Sequence, residues 1–99
     1  MTTIVILDIP ATAQTRGAVL ETLREALDDT RAFEGCEGLE LLVNQDDDAN
    51  IIVYERWRSR KDYDNYFAWR QKSGFSASFR ALFPGAPTVR KFDIEKIYD

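Results

Sequence analysis

Residues 53–70, which read VYERWRSRKDYDNYFAWR, hold the side chains best suited to chemistry. They include two tryptophans, three tyrosines and a phenylalanine among eight charged residues. Such rings offer planar apolar walls with a few polar tips, so they would suit a pocket for a flat molecule. The chain has no histidine, and it therefore lacks the commonest general base and the commonest nitrogen ligand for a metal. A base would have to be a carboxylate with a raised pKa, for which Glu55 is the candidate.

Length and composition limit the classes of protein to consider. The 99 residues predict one domain, 1–99. The formal charge of −4 argues against nucleic-acid binding, which usually needs a basic face. Cys36 is the single cysteine, which excludes an internal disulfide and is typical of a reducing compartment. The opening MTTIVILDIP has no basic stretch and only a short apolar run, so we expect a cytoplasmic protein with no signal peptide and no membrane span.

Hydrophobic patterns in the first half of the chain predict three strands and one helix. A β-branched run predicts a strand over 3–9, which Pro10 ends. Apolar residues at helical spacing then predict a helix over 12–30. Alternation predicts a strand over 39–45, an acidic hairpin turn and a strand over 51–57.

The second half of the chain predicts further helix and a last strand. Ser59 and Asp62 form an N-cap pair, which predicts a helix that Gly74 interrupts. A second short helix has four apolar residues on one side: Phe75, Phe79, Leu82 and Phe83. The PGAP segment at 84–87 breaks it, and a fourth strand is predicted over 88–98.

The order β-α-β-β-α-β predicts an α+β fold of the ferredoxin-like type. In this arrangement an antiparallel four-stranded sheet carries helices on one face. Leucine and isoleucine occur on both sides of the predicted strands, so a lone domain would leave apolar sheet exposed. A second copy stacked face to face would cover that surface, and we therefore expect a homodimer.

The stretch FEGCEGLELLVNQDDDANIIVYERWRSRKDYDNY resembles the antibiotic biosynthesis monooxygenase domain family. The resemblance lies in the Gly-Cys turn, the acidic hairpin and the strand end Glu55-Arg56-Trp57-Arg58-Ser59. It implies a dimeric α+β barrel with a pocket between sheet and helices in each subunit. It also implies a monooxygenase that oxidises a small aromatic substrate (phenolic, quinol or polyketide-like) with O2, and no cofactor, metal or flavin.

The resemblance also implies roles for individual residues. Trp57 and Tyr63 match the family's pocket tryptophan and tyrosine, whereas Val53 stands where members that oxidise aromatics have asparagine. Arg80 is the nearest match to the pocket arginine, and Arg70 is a local alternative. Tyr66 stands where many quinol-type members have histidine, and the absence of a helical histidine makes haem degradation an unsuitable assignment.

We therefore predict two groups of site residues. The catalytic group is Glu55, Trp57, Tyr63 and Arg70, in which the arginine would stabilise a developing oxyanion and the tyrosine would donate to the phenol. The alternative to a carboxylate base is a substrate acidic enough to ionise with electrostatic help alone. The substrate-binding group is Tyr66, Phe67, Trp69 and Arg80.

Each of these residues also has a purely structural interpretation. Trp57 could be plain core, Glu55 could form an ion pair, and Arg70 could be solvated or interfacial. The aromatic residues of the second helix could be an ordinary buried helix face, and Trp69 could be either a dimer contact or a pocket lid. Cys36 has no partner base and is not a nucleophile candidate, and the Asp46–Asp48 run is interpreted as a hydrated turn.

Two functions therefore remain open at the level of sequence. One is the cofactor-independent monooxygenase, and the other is a non-catalytic dimeric module that binds a small molecule or a partner. An RNA-recognition module of the same topology would need exposed aromatics in a characteristic motif on the central strands. The predicted strands do not carry that motif.

Overall fold

A computed structural model describes residues 1–81 and 85–99 of the chain. Within these residues the strands are β1 (Thr3–Pro10), β2 (Cys36–Val43), β3 (Asn50–Trp57) and β4 (Thr88–Asp93). The helices are α1 (Arg16–Ala32), α2 (Arg60–Lys72) and α3 (Phe75–Arg80). The sheet has the order β2-β3-β1-β4 with antiparallel neighbours throughout. The predicted ferredoxin-like α+β fold is confirmed, and α3 is the predicted second short helix.

The ends of several elements differ from the sequence prediction. Helix α1 begins four residues late because the Thr12 and Thr15 hydroxyls accept hydrogen bonds from each other's backbone N–H groups and form a turn before it. Strand β2 begins at Cys36, three residues before the predicted start at 39. Strand β4 ends at Asp93, not at the predicted residue 98, because its partner strand β1 begins at Thr3, the residue that pairs with Asp93. The predicted apolar residues Leu82 and Phe83, and Pro84 of the PGAP segment, lie outside the described residues.

Alternation along the strands produces one face whose central residues are buried under the helices, here called the inner face. Ile9, Ile51 and Val53 lie on it and are 0% exposed. They pack with Val19, Leu20 and Leu23 of α1 and with Phe79 of α3. A second cluster joins β1, β3 and α2 through Val5, Trp57, Tyr63 and Tyr66. The helices therefore cover the inner face, and they bring α2 against the end of β3 where the aromatic residues are concentrated.

The start and end of α2 follow the sequence signals. The Ser59 hydroxyl accepts a hydrogen bond from the Asp62 backbone N–H at 3.1 Å, which confirms the predicted N-cap. Gly74, at φ 77°, separates α2 from α3. None of the helices in the described part of the chain is long and apolar enough to cross a membrane.

The opposite face of the sheet, here called the outer face, is formed by the alternate residues of each strand. Apolar side chains remain partly or fully exposed on it, among them Ile52, Tyr54, Leu42 and Phe92. Leu42 and Phe92 are each 43% exposed. The described helices do not cover this face.

The turn that leads from α1 into β2 depends on Gly35, and this gives a test of the fold. We expect Gly35→Ala to lower the free energy of unfolding by about 1–3 kcal/mol. At its φ of +93° an added Cβ would lie 2.5 Å from the Asp62 Cβ at the start of α2. Urea denaturation followed by tryptophan fluorescence measures the change.

Gly17 is the matched control for that substitution. It lies in α1, and an added Cβ would meet nothing within 4 Å. Gly17→Ala should therefore raise the free energy of unfolding, by up to about 1 kcal/mol, because alanine is the better helix former. A Gly35→Ala variant as stable as the parent would contradict this account of the turn.

Candidate functional site

A cavity of about 150 Å³ lies between the inner face of the sheet and the helices. Its walls are mostly apolar: Val5, Leu7 and Val89 line it from the sheet, and Leu23, Ala26 and Leu27 line it from α1. A cavity of roughly 150 Å³ is large enough to bind a benzene-sized ring. Apolar cavities with a few polar groups are the usual form of small-molecule sites.

Among the described residues that line this cavity, Glu55 alone provides a carboxyl group. It lies on the inner face of β3 and is 4% exposed. Its Oε1 accepts a hydrogen bond from the Trp57 indole N–H at 2.8 Å, and no described residue donates to Oε2. Every fully buried side-chain oxygen in the described chain has a hydrogen-bond partner. Since Oε2 has none, it is not fully buried. Glu55 lines the cavity, so we infer that Oε2 is exposed to the cavity.

The environment of Glu55 favours its protonated form. Burial raises the pKa of its carboxyl from 4.5 to about 7, although the hydrogen bond from Trp57 and the charge of Arg70 both lower that pKa. The structural interpretation of Glu55 was an ion pair with an arginine. In the described chain, no lysine or arginine nitrogen lies within 4.0 Å of its carboxyl oxygens. A carboxyl group with a pKa near neutrality can both accept and return a proton, which is what a general base requires.

Tyr63 brings a phenolic hydroxyl to the same cavity from α2. Its side chain is buried and packs edge-on against Trp57, with ring centroids 5.9 Å apart. Burial, with a smaller contribution from the charge of Glu55, raises its pKa above the ordinary value, so the hydroxyl keeps its proton. No residue of the described chain forms a hydrogen bond with this hydroxyl, which leaves it available to a ligand.

Arg70 is a buried cation at the end of α2. Its Nε–H donates to the Tyr66 hydroxyl oxygen at 2.9 Å. Its Nη2 donates to the Ala26 carbonyl at 2.7 Å and to the Thr30 hydroxyl at 2.9 Å, both in α1. Nη1 forms no hydrogen bond with the described residues. Since Arg70 lines the cavity, Nη1 is the part of the guanidinium that remains for a ligand.

Aromatic rings enclose the Arg70 guanidinium as well. Its Cζ lies 4.7 Å from the ring centroid of Trp69 and 4.7 Å from that of Phe75. The side chain is 7% exposed, and no carboxylate among the described residues pairs with it. Neutral oxygens and ring faces therefore compensate this charge in the structure.

Four further predicted site residues also lie at the cavity or beside it. Tyr66, Phe67 and Arg80 line it. Trp69, which is 39% exposed, does not line it and instead packs on Phe33 with centroids 5.5 Å apart. The hydroxyl of Tyr66 already bonds to Thr30 and Arg70, so this residue contributes mainly a wall.

Trp57 is buried behind the cavity and does not line it. Its side chain is 0% exposed, and its ring lies 5.0 Å from that of Tyr66 between centroids. Its indole N–H points to Glu55. The structure therefore brings Glu55, Tyr63 and Arg70 together around one cavity, and places Trp57 where it can orient the carboxyl group.

Thr30 belongs to this arrangement, although the sequence analysis did not select it. Its hydroxyl, 2.8 Å from the Tyr66 hydroxyl, also accepts from Arg70, and the residue is fully buried. A signal was present, because Thr30 continues the buried stripe of α1 formed by Val19, Leu23 and Ala26 at helical spacing. A polar residue on an apolar stripe needs a buried hydrogen-bond partner.

Solved structures share this fold at low sequence identity. Rv0793 from Mycobacterium tuberculosis is 21% identical, with 100% of both chains covered and a TM-score of 0.87. PA3566 from Pseudomonas aeruginosa is 21% identical over 92% of this chain and 91% of that one, with a TM-score of 0.78. A monooxygenase from the gene ActVA-Orf6 of Streptomyces coelicolor, in complex with the ligand nanaomycin D, is 15% identical over 97% of this chain and 89% of that one, with a TM-score of 0.82.

The sequence itself matches a family model. No curated protein matches the chain closely enough to be compared with it. The model described as antibiotic biosynthesis monooxygenase matches residues 2–82, which include all of the described lining residues of the cavity except Pro87 and Val89. The chain therefore belongs to the antibiotic biosynthesis monooxygenase family.

Proposed function

We propose that this protein is a cofactor-independent monooxygenase that oxidises a small phenol or hydroquinone with O2. The observation that carries the proposal is the juxtaposition of Glu55, Tyr63 and Arg70 around a cavity of about 150 Å³. The three groups are a proton acceptor, a hydrogen-bond donor and a fixed cation. A location in the cytoplasm stays a prediction from the sequence.

The first step is the ionisation of the substrate. Glu55 takes the phenolic proton through Oε2, and the Tyr63 hydroxyl and Arg70 Nη1 stabilise the phenolate that forms. These donors are already held in place before the charge develops, which is the condition under which electrostatic stabilisation lowers a barrier most. Apolar walls exclude water and strengthen both interactions.

Oxygen then reacts with the phenolate. One electron passes from the phenolate to O2, and the resulting phenoxyl radical and superoxide combine at an unsubstituted ring carbon to form a C–O bond. Glu55 returns its proton to the peroxide. Loss of the ring C–H proton and cleavage of the O–O bond release water and leave a carbonyl, so that a phenol and O2 yield a quinone and water.

The comparisons support this assignment at the level of the family. The similar protein from Streptomyces coelicolor is a monooxygenase whose structure contains nanaomycin D. Val53 of this chain stands where members that oxidise aromatics have asparagine, and it is buried in the core. That difference favours the alternative of a binding module without catalysis, and the experiment below distinguishes the two.

Oxygen uptake tests the role of Glu55. In a panel of hydroquinones and anthrone-like phenols, we expect at least one substrate whose uptake by the metal-stripped protein saturates above its autoxidation rate. Glu55→Gln should lower that rate by about 100-fold or more, because the amide cannot accept the proton. The amide oxygen can still accept the Trp57 N–H, so the fold should be retained.

Glu25→Gln is the control, since Glu25 is an exposed carboxylate on α1 and should behave like the parent. Unchanged uptake in Glu55→Gln would exclude Glu55 as the base. Background rates over the whole panel, with binding of the same phenols retained, would favour the non-catalytic module.

The ionisation of Glu55 should also appear in the stability of the protein. Between pH 4.5 and about 7, the unfolded state releases this proton while the folded state keeps it. The free energy of unfolding should therefore fall as pH rises through this range, by about 3 kcal/mol in total at most. Below pH 4.5 both states are protonated and the contribution of Glu55 to stability is fully present.

Urea denaturation from pH 4 to 8 measures this dependence. The difference between parent and Glu55→Gln isolates the contribution of Glu55 from those of other groups, and Glu25→Gln should follow the parent. A constant difference across the range would show that the carboxyl group of Glu55 titrates normally.

We also propose that two copies associate through the outer face. Its exposed apolar side chains form the kind of patch that marks an interface. Sedimentation equilibrium should give a mass twice that of the 11.4 kDa chain. Ile52→Lys, which places a charge on the central strand of that face, should yield a folded monomer, whereas Ala18→Lys on the exposed side of α1 should not. A parent that sediments as a monomer would contradict the proposal.

A further inference from the structure

Arginines in the described chain differ in whether a carboxylate neutralises them. Five have a carboxylate oxygen within 4.0 Å: Arg16, Arg56, Arg58, Arg60 and Arg90. Arg70 and Arg80, the two that line the cavity, have no such partner among residues 1–81 and 85–99. Arg24 and Arg31 also have no such partner in the described chain, but they are exposed on α1 and do not line the cavity.

A third cation lies close to the cavity wall. The Lys91 ammonium on β4 is 5.5 Å from the ring centroid of Tyr63, and it too has no carboxylate partner in the described chain. Against these cations the lining offers one carboxyl group, that of Glu55. The chain as a whole carries a net charge of −4, whereas the described lining of the cavity holds two arginines and one carboxyl group.

We propose that the aromatic ligand of this cavity carries a carboxylate that Arg80 binds, which narrows the substrate class to hydroxylated aromatic acids. The inference rests on the proposed function in taking this ligand to be the substrate. Its support is that Arg80 lines the cavity and has no carboxylate partner among the described residues, so its guanidinium is available to an acidic group of a ligand.

The two ends of such a ligand have different places in the site. Glu55 and Arg70 are buried, and the phenolic oxygen belongs beside them. Arg80 is exposed and ends the short helix α3, so it receives the acidic substituent where the cavity opens to solvent. Phe67 and Phe75 also line the cavity and supply apolar contact for the ring of the ligand.

A carboxylate is the substituent that suits Arg80 best. A guanidinium binds a carboxylate through charge-assisted hydrogen bonds, which are about twice as strong as neutral ones. An amide of the same shape offers one neutral oxygen in place of that charge. The comparison of an acid with its amide therefore isolates the charge of the ligand from its size.

Isothermal titration of the parent protein with 4-hydroxybenzoate and 4-hydroxybenzamide, without O2, tests the inference. We expect the acid to bind about tenfold more tightly than the amide. Arg80→Gln should weaken binding of the acid by about tenfold and so abolish this preference. Arg24→Gln removes an equal charge away from the cavity and should keep the preference.

Three results would overturn the inference. They are equal affinity for acid and amide in the parent, no measurable binding of the acid, and a preference for the acid that survives in Arg80→Gln. Oxygen uptake with hydroquinone and 2,5-dihydroxybenzoate separates this inference from the proposed function. Selective binding of the acid without accelerated oxygen uptake would support an aromatic acid as the ligand and contradict the monooxygenase. Equal turnover of both compounds, unaffected by Arg80→Gln, would support the monooxygenase and contradict an aromatic acid as the preferred substrate.

Discussion

The guanidinium of Arg70 is the group on which the geometry of the site depends. It extends from α2 to the Ala26 carbonyl and the Thr30 hydroxyl of α1 and also bonds to Tyr66. Burying a cation is costly unless its donors are satisfied, so these acceptors must be in place for the fold to be stable. The long side chain thus links the two helices, and the cavity lies beside this link. A shorter apolar residue at position 70 would remove the hydrogen bonds and leave the Tyr66 and Thr30 hydroxyls with fewer partners.

The same hydrogen bonds explain why Glu55 keeps a high pKa next to a cation. Three of the Arg70 donors are committed to neutral oxygens, and the described structure contains no direct ion pair between Arg70 and Glu55. The charge of Arg70 therefore lowers the pKa of Glu55 less than burial raises it, and the result is about 7. A direct ion pair between Arg70 and Glu55 would keep the carboxylate ionised and would leave its oxygens bonded to Arg70 instead of available to a ligand. Separation of the two groups leaves a proton acceptor and a cation that can act on one ligand.

Local signals in the sequence account for the fold and for part of the site. The alternation of β3 placed Glu55 and Trp57 on one face, the Ser59–Asp62 pair began α2 as predicted, and Gly74 ended it. Helical spacing from Tyr63 to Arg70 brought the remaining groups to the same side. These features depend on neighbours within a few residues, so the sequence alone was sufficient to predict them.

Other features of the site depend on contacts between distant parts of the chain. Thr30 meets Tyr66 and Arg70 across 36 and 40 residues of sequence, and no local pattern states that pairing. Trp57 was predicted beside a ligand but is fully buried with Glu55 in front of it, because its ring fills the space between Phe33, Tyr63 and Tyr66. The alternation of a strand predicts which face of the sheet a side chain lies on. It does not predict whether that side chain lines a cavity or is buried behind it.

The absence of histidine from the chain moves the proposed proton acceptor from a helix to the sheet. Tyr66 stands at the helical position where the sequence resemblance implied a histidine in many quinol-type members, and its hydroxyl bonds to Thr30 and Arg70. Glu55 lies on β3, which is paired on both sides by β1 and β2, so its backbone is among the most constrained in the molecule. A base on a rigid strand is positioned more accurately than one on a loop. Arg80, which is proposed to set the preferred ligand, lies on a separate helix of only six residues, away from the strand that holds the proposed base.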